Sequence, residues 1–210
     1  MVIDHIFIRA TPDAPEAAAL REFGLTEGSG NRHPGQGTAN RRFFFANAFL
    51  ELLWLTDVAE ATSDITAPTH LYERLTQDDT SPFGICFRPS GAGESAAFPC
   101  WPYRPAYLPP GMQIDFAEDA PLAEPMWFFF AAAQAPAASG VEPVHHPVGA
   151  QNITAVEVTV PQTAPLSAAA RASRISFKQG AAHLLAITFD HAMRGLSKDF
   201  RPALPLIIRY

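Results

Sequence analysis

The chain has 210 residues, 48% of them hydrophobic and 17% charged, with a net charge of −6 and a pI near 5.6. A chain of this length buries roughly 70% of the surface it exposes when unfolded, so it needs neither a disulfide nor a structural metal to hold its fold. The acidic balance, with Arg41-Arg42 as its one basic cluster, excludes a protein built on phosphate-backbone contacts, and no nucleic-acid partner is expected.

The opening MVIDHIFIRA lacks a basic leader and a cleavage pattern, so it reads as a first strand and not as a signal peptide. Simple alternation puts Ile3, His5, Phe7 and Arg9 on one face and Asp4, Ile6 and Ile8 on the other. Thr11 to Phe23 combines a capping residue, early prolines and strong helix formers, and Gly24 ends that helix. A Gly-rich polar stretch, Gly28 to Asn40, leads into two apolar runs, Arg42 to Phe45 and Ala48 to Leu55, whose short Ala46-Asn47 break makes a hairpin.

Residues 57–81 are polar connection with a short helix around His70 to Thr76. Strand signals resume at Phe83 to Arg88, Gly111 to Phe116 and Met126 to Phe130. Between the first two of these, FPCWPYRPAYLPPG is too rich in proline for a helix or a central strand. An Ala- and Pro-rich linker, Ala131 to Pro147, ends in His145-His146-Pro147. The strand Ile153 to Val160, a helix from about Pro165 to Ala172, and strands Arg174 to Lys178 and His183 to Phe189 follow. No apolar run approaches the roughly 20 residues of a spanning helix, so no membrane association is expected. Cys86 and Cys100 form no CxxC and read as reduced thiols in a cytoplasmic protein.

The two ends of the chain repeat one order of elements. IDHIFIRATPDAPEAAALRE and ITAVEVTVPQTAPLSAAARA match in strand polarity, turn chemistry and helix, and Glu51-Leu-Leu-Trp-Leu55 sets against His183-Leu-Leu-Ala-Ile187. PFGICFRP matches IDHIFIRA in pattern, with Gly84 standing where His5 stands. The expected organisation is one α+β domain over residues 1–210, with a first unit at 1–56, a degenerate central unit at 82–130 and a C-terminal unit at 151–190.

Glu51, flanked by Leu50, Leu52, Leu53 and Trp54, is the most telling candidate, because a carboxylate in an apolar strand needs a partner to offset its desolvation. It is a candidate general base. An Arg41 or Arg42 bridge to Glu51 would be a purely structural outcome, whereas Arg42 facing a cavity would bind a substrate carboxylate. His33 to Asn40 does not sit between a strand and a helix, so no nucleotide cofactor is expected; it reads as a lid to which Asn40 contributes a hydrogen bond. The aromatic residues are mostly core, with Trp101 a candidate for an apolar pocket wall.

Ile3-Asp4-His5-Ile6, the helix ending at Gly-Leu, His33 to Arg41 and Phe49-Leu-Glu51-Leu-Leu together resemble the glyoxalase-like domains of the vicinal-oxygen-chelate superfamily. The resemblance is specific over residues 1–56 and weaker beyond. It implies repeated βαβββ units whose curved antiparallel and mixed sheets enclose a cavity for a small molecule, often with one divalent metal. His5 and Glu51 match the first unit's ligand pair, while Gly84 and Ala155 occupy the two candidate positions for a second histidine. A third ligand to Fe, Mn, Ni, Zn or Co would come from His146 or His183, the latter otherwise a substrate-binding residue. Such a site would suit a lyase, isomerase or dioxygenase acting on adjacent oxygens; the alternatives are a metal-free enzyme using Glu51 and a non-catalytic binding protein. Half-barrel units with exposed sheet faces also suit a homodimer.

Overall fold

The computed structural model describes residues 1–161 and 165–210. The first unit runs β1 (Val2–Arg9), α1 (Ala17–Glu22), β2 (Asn31–His33), β3 (Thr38–Phe44) and β4 (Phe49–Leu55). Two short helices, α2 (Val58–Ala61) and α3 (Leu71–Thr76), lead to β5 (Phe83–Arg88), β6 (Cys100–Tyr103), β7 (Ile114–Ala117) and β8 (Met126–Phe129). These strands form one eight-stranded sheet in the order β2-β3-β4-β1-β5-β8-β7-β6.

The order is symmetric about its centre. β1 and β5 pair antiparallel, each has a parallel outer neighbour, β4 and β8 respectively, and antiparallel strands follow on both sides. A pseudo-two-fold axis therefore relates the first and central units, and both come from the same chain. The central unit has no counterpart of α1 between β5 and β6. β6 carries Pro102 at the outer edge, where a missing N–H interrupts no ladder.

Strand alternation divides the sheet's side chains between two environments. Ile6, Ile8, Leu50, Leu52, Ile85, Phe87, Trp127 and Phe129 join the main core, while Phe7, Leu53, Cys86, Phe116 and Phe128 line the opposite, concave side. Simple alternation fails at one place. The register between β1 and β5 shifts between Ile3 and His5, so Asp4 is a bulged residue. A bulge inserts a residue and resets the phase. Ile3 packs on the main core with Ile6 and Ile8, while Asp4 and His5 both face the concave side.

After α4 (Pro136–Ser139), the chain builds β9 (Ile153–Val160), α5 (Ala168–Ala172), β10 (Ser176–Gln179), β11 (Leu184–Phe189), β12 (Ser197–Asp199) and β13 (Leu206–Arg209). Its five-stranded sheet, ordered β10-β9-β11-β13-β12, shares the main core through Val156, Val158, Leu185, Ile187, Leu206 and Ile208. It thus backs the large sheet on the side away from the concavity. The order of elements matches the first unit but the pairing does not. β1 runs parallel to the last strand of its unit, β4, whereas β9 runs parallel to β10 directly after the helix and antiparallel to β11. Ala155 lies on β9 and His183 directly before β11, at a different sheet from the one that holds His5 and Glu51, and the alignment of His183 with Glu51 does not hold in space. The aligned turn at 162–164 lies outside the described residues. Among the described residues, no helix is long and apolar enough to cross a membrane.

Candidate functional site

The concave side encloses a cavity of about 430 Å³. Its floor is β1 and β4, where His5 pairs with Phe49 and Phe7 with Glu51 across the parallel ladder. The bulge lets two consecutive residues reach the same space: the Asp4 carboxylate accepts from His5 Nδ1 at 2.8 Å. The far nitrogen, Nε2, faces Glu51 Oε2 at 3.7 Å, too long for a hydrogen bond. The imidazole lies flat on Phe49, centroids 4.4 Å apart, with the edge of Phe128 at 5.4 Å.

Glu51 is 5% exposed, and its partner is neutral. Asn40 donates through Nδ2 to Glu51 Oε1 at 2.6 Å, while its own Oδ1 accepts from the Asn31 N–H at 2.7 Å, which fixes the amide's orientation. Neither arginine reaches Glu51. Arg41 turns to the other face and grips Glu27 with two bonds of 2.5 and 2.6 Å. Arg42 lines the cavity but donates to the carbonyl and hydroxyl of Ser29, its guanidinium 4.9 Å from the centre of Phe44. Asp4 is balanced separately, with Arg88 Nε at 3.4 Å from its Oδ1.

The remaining predicted residues lie elsewhere. His146 is buried with both ring nitrogens occupied: Nδ1 accepts from Thr26 N–H at 2.9 Å and Nε2 donates to the Phe44 carbonyl at 2.9 Å. Burial lowers its pKa, and the bond to Phe44 only partly opposes that. It stitches the linker to the end of β3 and has no lone pair left for a metal. His183 lines a second cavity with Arg9 and Glu16, its ring edge against Phe83. Trp101 stacks on Phe116 at 5.4 Å, one ring behind the wall that Phe116 and Phe128 form. The segment expected to be a lid is instead the β2–β3 hairpin, with Gly35 and Gly37 at positive φ in its turn.

Among the cavity residues that escaped the sequence reading are Asp4, His33, Gln36 and Tyr107. Asp4 was hidden by the bulge. Tyr107 lies in the Pro-rich loop, and its hydroxyl bonds Gln36 Oε1 at 3.0 Å. Burial pushes that hydroxyl's pKa up and lowers that of His33.

A divalent metal, which the resemblance implies, does not fit these donors. The pseudo-two-fold axis carries His5 onto Gly84 and Phe7 onto Cys86, and because Phe7 partners Glu51 and Cys86 partners Phe128, Phe128 stands where Glu51 does. The second half offers no donor at either place. A side chain at Gly84 is shut out as well, since a Cβ there would lie 2.0 Å from the Phe7 ring. Among the described residues, Asp4, His5 and Cys86 are the one group of three whose ligand atoms lie close together. Within it, Asp4 is already engaged by His5 and Arg88, and the Cys86 thiol is pushed well up by burial and by the charges of Asp4 and Glu51. A thiol must ionise to bind a metal.

Residues 3–99 match the family model of the glyoxalase-like domain, a span that contains His5, Asn40 and Glu51. No curated protein matches the chain. Among solved structures, a hypothetical protein from Staphylococcus aureus shares the fold with a TM-score of 0.50 at 12% identity, over 98% of this chain and 97% of that one.

Proposed function

We propose, from the match of residues 3–99 to the glyoxalase-like domain and from the geometry of the cavity, that the chain is a small-molecule enzyme of the vicinal-oxygen-chelate kind that moves a proton without a metal. The observation that supports this reading is the placement of His5 between two carboxylates. When His5 is neutral and gives its Nδ1 hydrogen to the Asp4 carboxylate at 2.8 Å, Nε2 turns a lone pair to the cavity, with Glu51 Oε2 3.7 Å beyond. In that form two acceptors face each other across the gap. A substrate that brings a proton there relieves the repulsion, and an imidazolium formed at His5 is stabilised on both sides.

The reaction class is abstraction from carbon next to a carbonyl. The C–H bond breaks, its proton passes to His5 Nε2, and the electron pair moves onto the carbonyl oxygen; the reverse step returns a proton to the same or a neighbouring carbon. Asn40 holds Glu51 in place by a neutral hydrogen bond that leaves its charge available.

The test is deuterium uptake from D₂O into a panel of small aryl and alkyl carbonyl compounds, followed by mass spectrometry. The wild-type protein, with less than a tenth of an equivalent of bound metal and with chelator present, is expected to label at least one compound. His5→Gln and Glu51→Gln should abolish labelling while leaving the fold intact. Labelling lost on chelation and restored by a divalent ion would overturn the metal-free assignment. A non-catalytic binding role is the second reading, favoured by the aromatic wall of Phe49, Phe116, Phe128 and Phe130; saturable binding without labelling of any bound compound would select it.

A further inference from the structure

The hairpin turn and the Pro-rich loop build a chain of hydrogen bonds that ends on the unassigned histidine of the cavity. The Tyr107 hydroxyl donates to Gln36 Oε1 at 3.0 Å, and Gln36 Nε2 donates to Thr38 Oγ1 at 2.8 Å. Thr38 is buried and has one hydrogen to give, and His33 Nδ1 lies 2.9 Å from its oxygen. If Nδ1 carried the proton instead, that hydroxyl hydrogen would be buried without an acceptor, which costs roughly 1–3 kcal/mol. Turning the Gln36 amide over would set its NH2 against the hydroxyls of Tyr107 and Tyr103, which meet Gln36 Oε1 at 3.0 and 3.4 Å, and would take from Tyr107 its one acceptor among the described residues. The polarity of the chain is therefore set from Tyr107 to His33. Nδ1 accepts, and Nε2 keeps the hydrogen.

We propose that His33 is a neutral hydrogen-bond donor that reads an uncharged oxygen on the ligand, with its tautomer fixed by the Tyr107–Gln36–Thr38 chain. His33 lines the same cavity as His5 and Glu51, and its Nε2 has no protein partner among the described residues. Its ring packs against Tyr107, centroids 4.9 Å apart, and burial keeps it neutral. A fixed neutral imidazole offers a donor without adding charge.

The ligand class follows from what the cavity holds. Glu51 Oε2 and His5 Nε2 call for a donor, His33 Nε2–H calls for an acceptor, and Phe116, Phe128 and Phe130 call for an apolar body. The ligand is a compound with an aryl or similarly bulky apolar body and a head that carries both a hydrogen-bond donor and a carbonyl-type oxygen. This deepens the small-molecule reading above and rests on it only for the ligand, since the tautomer is a property of the free protein.

Two measurements test it. In ¹⁵N-labelled wild-type protein, imidazole ¹H–¹⁵N correlation spectra at pH 7 should show His33 as the Nε2–H tautomer, and Gln36→Leu should turn it into a mixture. An Nδ1–H tautomer or an imidazolium in the wild type overturns the assignment. Binding is then compared for 2-phenylacetamide, which has donor and acceptor, phenethylamine, which has a donor only, and phenylacetate, a charged acceptor. Phenylacetamide should bind more tightly than phenylacetate, and His33→Phe should weaken it about 3- to 10-fold, the worth of one hydrogen bond, with phenethylamine, a cationic donor, unchanged within about twofold. Equal losses for both, or none, overturn the recognition role of His33 while the cavity reading stands. No binding of any of the three overturns the cavity reading and the ligand class together, and the tautomer spectrum still decides the state of His33.

Discussion

The two halves of the eight-stranded sheet share strand order and register yet point opposite chemistry into one cavity. The first half contributes every charged side chain, Asp4, Arg42 and Glu51, with His5, Asn40 and the ring of Phe49; the central half, the Tyr107 hydroxyl apart, contributes Ile114, Phe116, Met126 and Phe128. Symmetry of backbone is kept while symmetry of function is given up. A cavity with donors from both halves would surround a metal, whereas one with all its charge on one wall orients a molecule that is polar at one end. The difference between the halves decides what the site can bind.

The largest effect expected from breaking this comparison lies at Phe7 and Gly84, which face each other across the axis. Phe7→Ala removes a fully buried ring and should cost about 3–5 kcal/mol. Gly84→Ala forces a methyl into that ring and should cost about 1–3 kcal/mol or more. In urea denaturation the double variant should be well short of the sum, because without the ring the added methyl meets space. Simple additivity would show that Gly84 is not there to accommodate Phe7. The empty ligand position would then need another cause.

His146 sharpens the contrast between a stitched histidine and an available one. His146→Phe leaves the Thr26 N–H and the Phe44 carbonyl without partners, and the denaturation midpoint should fall by an amount worth about 2–4 kcal/mol. His5→Gln, whose bonds are to one neighbouring side chain beside the cavity, should cost clearly less.

Most strands up to Phe189 were legible because β-branched and aromatic residues with period two admit few other readings, although β6, β12 and β13 were not read, and Glu51 stood out as a carboxylate in an apolar strand. Three things were not legible. A one-residue bulge leaves no mark in the pattern of Ile3-Asp4-His5, so the face of Asp4 was read wrongly. The chain ends share an order of elements but not its pairing, since strand neighbours are fixed by core packing and not by sequence spacing. His146 and His183 looked equal as ligands because hydrogen bonds to backbone groups far along the chain, such as Thr26 and Phe44, cannot be seen in a sequence.

A smaller effect concerns pH. Burial is the first cause that lowers the pKa of His33, His146 and His183 below the ordinary 6.5. For a group whose folded pKa is depressed, the unfolded chain binds the proton first as pH falls. The stability these imidazoles contribute is fully present above pH 6.5 and is lost as pH drops through their folded values. The urea midpoint should therefore decline from pH 7.5 to 5.5, and His146→Phe should flatten part of that decline. A midpoint that rises on acidification in this window would contradict the burial of these rings.

The smallest effect belongs to Trp101, and it fixes how far the apolar half of the comparison extends. Trp101 stacks on Phe116, which stacks in turn on Phe128 at 5.4 Å and 14°, and the cavity meets the second and third of these rings but not the first. Phe116→Ala removes wall area and should weaken binding of phenylacetamide about tenfold or more, by the burial worth of one ring. Trp101→Phe keeps a ring behind that wall and should change the same affinity by less than about twofold, although it costs some stability through the lost stacking. The two affinities, measured side by side, separate a ring that touches the ligand from one that supports it. Equal losses would place Trp101 in contact with the ligand, and the apolar wall would then reach out to the edge strand β6.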